Sequence, residues 1–164
     1  MPEIDHDFLL QEARIRQVLI RYTTVIDERK PARLADVFTP EGVAEYRGLG
    51  SFHGRKAIID VVESFLGSVG RTQHMVTNFR ITLNGGEAGA KCYLQATHAG
   101  SGVHEGKTMT VWGEYTDKLK LCPEGWRITH RELVAFHVAG DIGVAYKGKS
   151  YSAGAVVCSA HSES

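Results

Sequence analysis

The stretch Arg71-Thr72-Gln73-His74-Met75-Val76-Thr77-Asn78-Phe79-Arg80-Ile81-Thr82-Leu83-Asn84-Gly85-Gly86 is where the chain changes its hydrophobic period. Up to Leu66 the apolar residues recur at three- and four-residue steps, the spacing of helices buried on one face. From His74 onward they alternate, and Asn84-Gly85-Gly86 closes the segment with a hairpin turn signal. The chain therefore reads as mainly helical before this stretch and as strands after it. Three more strands are predicted, Ala88 to His98, Lys107 to Leu121 and Trp126 to Phe136, with Gly100-Ser101-Gly102 as a turn. Hairpin-like connections make the sheet antiparallel.

Working back toward the N-terminus, Ile15, Val18, Leu19, Tyr22, Val25 and Ile26 form one apolar stripe, which predicts a long helix from Phe8 to Ile26. Asp27-Glu28-Arg29-Lys30 ends it. Pro31 suits the first turn of a second, short helix carrying Leu34, Val37 and Phe38, and Thr39-Pro40-Glu41-Gly42 reads as a loop. A short strand around Val43 to Tyr46 and a glycine-rich turn lead to Gly54. Ile58, Val61, Val62, Phe65 and Leu66 then mark a third helix, ended by Gly67 and Gly70. The order ααβαββββ predicts an α+β fold in which a curved antiparallel sheet wraps about three helices as a cone. A cone has an open end, and an open end is a place for a pocket.

With 164 residues and 43% hydrophobic content, one domain over 1–164 is expected, its core at about 9–136 and its tail at 137–164. The tail carries Ile142, Val144, Tyr146, Tyr151, Val156 and Val157, too apolar for simple disorder. Lys and Arg number 19 against 19 Asp and Glu, so no net field attracts nucleic acid or an anionic membrane. No apolar run approaches the ~20 residues of a membrane span, and Met1 to Asp7 lacks a secretory leader pattern, so a cytoplasmic protein is expected. Cys92, Cys122 and Cys158 have neither disulfide-framework nor zinc spacing, and are read as free thiols. The histidines from His74 to His137 likewise lack metal-site spacing. P-loop, nucleotide-binding and nucleophile-elbow motifs are absent. No cofactor and no metal are expected.

Asp27 and His74 stand out chemically. A carboxylate at a helix C-terminus opposes the helix dipole, an unfavourable placement that asks for a purpose. An imidazole becomes a better-oriented base when a carboxylate fixes its tautomer and stabilises the imidazolium. His74 shares the even-numbered face of its strand with Val76 and Asn78, whereas Met75, Phe79, Ile81 and Leu83 occupy the other, so the His74 face is expected to line the cavity. His98 shares a face with Cys92, Leu94 and Ala96, the look of a barrel interior reaching its rim. Trp112, Trp126, His130 and Glu132 read as structural, the last two as a satisfied His-Glu pair.

Several of these features resemble the SnoaL-like branch of the nuclear transport factor 2-like superfamily, over roughly Leu9 to Phe136. The resemblance rests on the helix ending Tyr22-Thr23-Thr24-Val25-Ile26-Asp27, the Leu34 to Phe38 helix with its Thr-Pro-Glu-Gly exit, and Gly54. It rests also on the His74/Asn78 strand and on Gly113-Glu114-Tyr115-Thr116-Asp117 followed by Gly125-Trp126-Arg127-Ile128. Within that branch the pattern is similar to the scytalone dehydratase, bile-acid 7α-dehydratase and lindane dehydrochlorinase group. The resemblance implies His74 as the base that removes a proton from carbon, Asp27 as its partner, and Tyr22, Tyr46 and His98 as substrate-binding residues. A late arginine of the bile-acid enzymes falls on Ala135 here, with Arg131 nearby. It implies a cofactor-independent lyase, a dehydratase acting on a small, mostly apolar cyclic molecule. An isomerase, a polyketide cyclase or a non-catalytic binding module are the alternatives the fold allows. A homo-oligomer, dimer or trimer, is expected on the same analogy.

Overall fold

The computed structural model describes residues 5–145. Helix α1 runs His6–Asp27, and its N-terminus is capped by Asp5, whose carboxylate accepts from the Phe8 N–H at 3.0 Å. Its inner stripe, Ile15, Val18, Leu19, Tyr22, Val25 and Ile26, is buried, as the sequence spacing predicts. The short second helix is a 3₁₀ turn, Pro31–Asp36. Strands β1 (Phe38–Tyr46) and β2 (Gly50–His53) follow, then helix α2 (Arg55–Ser68). Strands β3 (Thr72–Asn84), β4 (Glu87–Ala99), β5 (Thr108–Cys122) and β6 (Gly125–Gly140) complete the sheet.

Six strands lie in the order β2-β1-β6-β5-β4-β3. Because β2 and β3 occupy opposite edges, α2, which joins them in sequence, has to cross the open face of the sheet. With α1 it fills the inside of an α+β cone. The core lies between these helices and the inner sheet face, with Leu34, Phe38, Cys92, Leu119 and Ile128 fully or almost fully buried. A smaller cluster of Val69, Met109, Val111 and Ala135 takes in Val144 and Ala145 from just beyond β6. Thus the first residues of the expected tail belong to the packed structure. Ile142 is exposed, and Tyr146, Tyr151, Val156, Val157 and Cys158 lie outside the described residues.

Three local expectations are corrected. The sheet is mixed, not wholly antiparallel, since β1 runs parallel to β6. That pairing joins segments some ninety residues apart and leaves no local trace in the sequence. Second, Thr39-Pro40-Glu41-Gly42 lies within β1 rather than in a loop. Its turn-like chemistry shows as an irregular stretch, because β1 pairs at Phe38↔Ile128 and resumes only at Val43↔His130. Third, the two faces of β3 are not the two parities of its numbering. Asn78 adopts φ +54°, and the register slips between Thr77 and Arg80, a bulge that places an extra residue in the strand. One extra residue exchanges the faces. Thr72, His74 and Val76 point inward before the bulge, and Phe79, Ile81 and Leu83 point inward after it, while Asn78 is exposed. The His74 face and the plain core face are the same face.

Of the residues read as structural, Trp126 is buried, and its indole N–H donates to Gln11 Oε1 at 3.0 Å. His130 and Glu132 do not pair with each other. Each reaches across to β1 or the turn just after it, His130 Nε2 to Glu45 Oε1 at 3.3 Å and Glu132 Oε1 to Arg47 Nε at 2.7 Å. Cys92 and Cys122 are free thiols. Burial pushes the Cys92 thiol up to about 12, which keeps it protonated and unreactive.

Candidate active site

The chain leaves α1 sharply. Arg29 takes the left-handed conformation, φ +56°, and its guanidinium donates to the carbonyls of Leu66 at 2.5 Å and Gly70 at 2.9 Å. The Leu66 carbonyl belongs to the last turn of α2, where no later helical N–H reaches it, so Arg29 caps α2 and, with Gly70 just beyond, ties the ends of the two helices together. Asp27 is thereby held against the first residues of β3. Its Oδ1 accepts from the Thr72 hydroxyl at 2.8 Å and lies 2.7 Å from His74 Nδ1, while its Oδ2 accepts from the His74 backbone N–H at 2.8 Å. Burial raises the Asp27 pKa, but the bonds from the His74 ring, the His74 backbone and Thr72 outweigh it, and the carboxyl is held below its ordinary value. An ionised carboxylate only accepts, so Nδ1 carries the hydrogen of this contact, and in the neutral imidazole the free lone pair is the one on Nε2.

The same depression predicts a pH dependence. Asp27 contributes stability above the ordinary aspartate pKa of about 3.9, and that contribution is lost as pH falls through the lower folded value. Asp27→Asn should therefore melt below the wild-type protein at neutral pH, and the difference should shrink in melting scans taken below about pH 4.

His74 opens on a cavity of about 420 Å³ enclosed by α1, α2 and the inner sheet face. Its walls are mostly apolar, with Val62 and Phe65 from α2, Leu94 and Ala96 from β4, Met109 and Val111 from β5, and Leu133 from β6. Polar groups enter at a few points. Tyr22 and Tyr46, from α1 and β1, meet hydroxyl to hydroxyl at 2.8 Å in the lining. The His98 ring stands edge-on to His74, centroids 5.5 Å apart, and edge-on to Phe65 at 5.2 Å. Burial first, and then the neighbouring His74, pushes His98 down to about 4, so it is neutral at physiological pH. Its Nδ1 is buried with no hydrogen-bond partner among the described residues. The structure thus brings His74, Tyr22, Tyr46 and His98 to the lining of one cavity, with Asp27 outside the lining and in contact with His74.

Other contributors were not singled out from the sequence. Thr72 lies two residues before His74, and strand parity alone puts both on one side. Tyr115, on β5, lines the cavity beside Tyr22, with ring centroids 5.6 Å apart. Behind them Arg131 and Asp117, directly opposed on β6 and β5, form a completely buried ion pair, Nε to Oδ1 2.7 Å and Nη2 to Oδ2 2.8 Å. Ala135, not Arg131, lines the cavity. Asp117 stands at the inward parity of β5, between Tyr115 and Leu119, whereas the register slip in β6 takes Arg131 off the parity set by Trp126 and Ile128, so only their pairing in the fold shows the two as a unit. Among the described residues no cluster of three or more His, Cys, Asp or Glu side chains is placed to hold a metal ion, and no helix is long and apolar enough to cross a membrane.

Comparison with known proteins agrees with this architecture. The chain is similar to a candidate scytalone dehydratase from Novosphingobium aromaticivorans DSM 12444, with a TM-score of 0.79 and 20% identity over 98% of this chain and 100% of the other. It is similar also to hexachlorocyclohexane dehydrochlorinase LinA-type3 from Novosphingobium barchaimii LL02, with a TM-score of 0.75 and 16% identity over 87% of this chain and 98% of that one. At these identities the likeness is one of fold. In sequence, the uncharacterized protein Rv2910c of Mycobacterium tuberculosis H37Rv is 32% identical over 120 residues, 71% of this chain and 80% of that protein. The sequence profile of the SnoaL-like domain matches residues 7–132, and the chain belongs to that family.

Proposed function

We propose that the protein is a lyase that removes water from a small, neutral, cyclic molecule by the acid/base chemistry of its own side chains. The observation that carries this reading is the Asp27–His74 contact of 2.7 Å at the wall of an apolar cavity. His74 Nε2 takes a proton from a carbon next to a carbonyl, and the electron pair of that C–H bond becomes the new C=C bond as the β-hydroxyl leaves. The proton held on the imidazolium completes the departing hydroxide as water. The Tyr22–Tyr46 hydroxyls and neutral His98 supply hydrogen bonds to the oxygen that gathers charge. Two fold neighbours are named for dehydration and dehydrochlorination, both eliminations.

A neutral substrate fits the charges around the cavity. Arg131 is sealed behind the wall against Asp117, Arg47 at the lining is paired with Glu132, and His98 is held uncharged. A carboxylate ligand would lose its hydration without gaining an uncommitted cation from these groups. The test is a panel of cyclic β-hydroxy ketones incubated in deuterated water, read by mass spectrometry and NMR. Loss of water supports the lyase. Deuterium uptake or double-bond migration without loss of water would make the same dyad an isomerase or cyclase. Tight binding with neither would make the protein a binding module.

A further inference from the structure

The buried ion pair behind the cavity has features that stability alone does not explain. Arg131 and Asp117 are 0% and 1% exposed, in a region otherwise suited to hydrophobic side chains. Buried pairs of this kind are commonly no more stabilising than apolar residues of the same volume, because two charges must be stripped of water. The pair is also incompletely satisfied. Asp117 takes the Nε and Nη2 hydrogens, whereas Arg131 Nη1 is buried with no hydrogen-bond partner among the described residues. What surrounds the guanidinium instead is aromatic. Its central carbon lies 4.1 Å from the ring centroid of Tyr22 and 4.1 Å from that of Tyr115, and the two rings, 76° apart in plane, form a corner around it. Both tyrosines are among the residues that line the cavity.

We propose that Arg131 is a positioning residue that fixes and polarises the Tyr22–Tyr46 hydroxyl pair, so that the pair directs one O–H into the cavity. The inference rests on the acid/base reading of the cavity and adds a part to it. Two hydroxyls bonded to each other share one proton between them, and the second proton is left to reach a third oxygen. A cation against the ring face draws electron density from the phenol and makes that proton a stronger donor. Asp117 engages the Nε and Nη2 edge of the guanidinium, which leaves the rest of the group to the corner formed by the two rings. The Tyr46 phenol nonetheless stays protonated. Burial, followed by the neighbouring Tyr22, pushes the Tyr46 pKa well up, and the Arg131 charge opposes this without cancelling it. The cavity thus keeps a directed neutral donor, not a phenolate.

The decisive experiment needs no substrate. In protein carrying ¹³C-labelled tyrosine, the hydroxyl proton shared by Tyr22 and Tyr46 is observed by NMR at neutral pH and assigned by its loss in Tyr46→Phe. The double variant Arg131→Met/Asp117→Leu removes both charges and leaves no buried partner stranded. Its hydroxyl signal is expected upfield of the wild-type position, with proton exchange about tenfold faster. An unchanged position and exchange rate would overturn the proposal, as would the absence of any protected hydroxyl signal in the wild type. Should the double variant fail to fold, Arg131→Lys keeps the charge and loses the planar contact with the rings, and the same displacement in smaller measure is expected. His74 is untouched in these proteins. An inactive His74 dyad would leave the Arg131 result standing, and an unmoved hydroxyl signal would leave the lyase reading standing.

Discussion

Replacing Arg131 by methionine alone is expected to destabilise the protein by about 3–5 kcal/mol. Asp117, at 1% exposure, then has no counter-charge and must either stay ionised without solvent or take up a proton in the interior. The Tyr22 and Tyr115 rings lose the group that fills their corner at the same time. For a domain of this size such a loss lowers the melting midpoint by about 10 °C. The double variant with Asp117→Leu should recover most of it, because the penalty lies in stranding one charge and not in losing the pair. Calorimetry of the two singles and the double gives the coupling directly. If Arg131→Met alone melted like the wild type, the charge of Asp117 would have to be compensated by another group, and the pairing would not be what secures it.

The pair also marks where the sequence stops being readable. Its members are fourteen positions apart on neighbouring strands, and each taken alone is an ordinary charged residue in an alternating pattern. Only their register, Asp117 opposite Arg131, turns two unremarkable charges into a closed unit. The helices were legible because their signal is local. The stripe from Ile15 to Ile26 and the turn at Asn84-Gly85-Gly86 depend on residues a few positions apart. The parallel β1–β6 pairing and the crossing of α2 depend on which strand finds which edge, and neither has a local signature. At β3 the failure was of a different kind. The alternation assumed an unbroken strand, and the bulge at Asn78 breaks it, an event that asparagine tolerates in the left-handed region but does not announce. The placement of Asp27 could be suspected because it opposes the helix dipole. What the dipole argument could not show is how many bonds offset that cost: the carboxylate takes contacts from Thr72, from the His74 backbone and from the His74 ring.

That same set of bonds makes His74→Ala a clean experiment, and its expected result is a fall in turnover of about 10²- to 10⁴-fold, the usual worth of a positioned general base. The fold should survive. Alanine at position 74 keeps the backbone N–H that reaches Asp27 Oδ2, and Thr72 still donates to Oδ1, so the carboxylate remains partnered after the ring has gone. Removing the ring enlarges the cavity rather than opening a void in the core, because His74 already lines it. Asp27→Asn acts by the opposite route. It leaves the imidazole in place, but an amide can offer Nδ1 a hydrogen as readily as an oxygen, which permits the tautomer with the proton on Nε2 and removes the charge that stabilises the imidazolium. Both variants should therefore lose turnover with little change in the affinity for a neutral ligand, because neither alters the apolar walls. A kcat that falls while KM stays level would place the dyad in the proton-transfer step. A KM that rises with kcat preserved would remove His74 from that step and make the pair a holder of ligand, with the binding-module reading then in front.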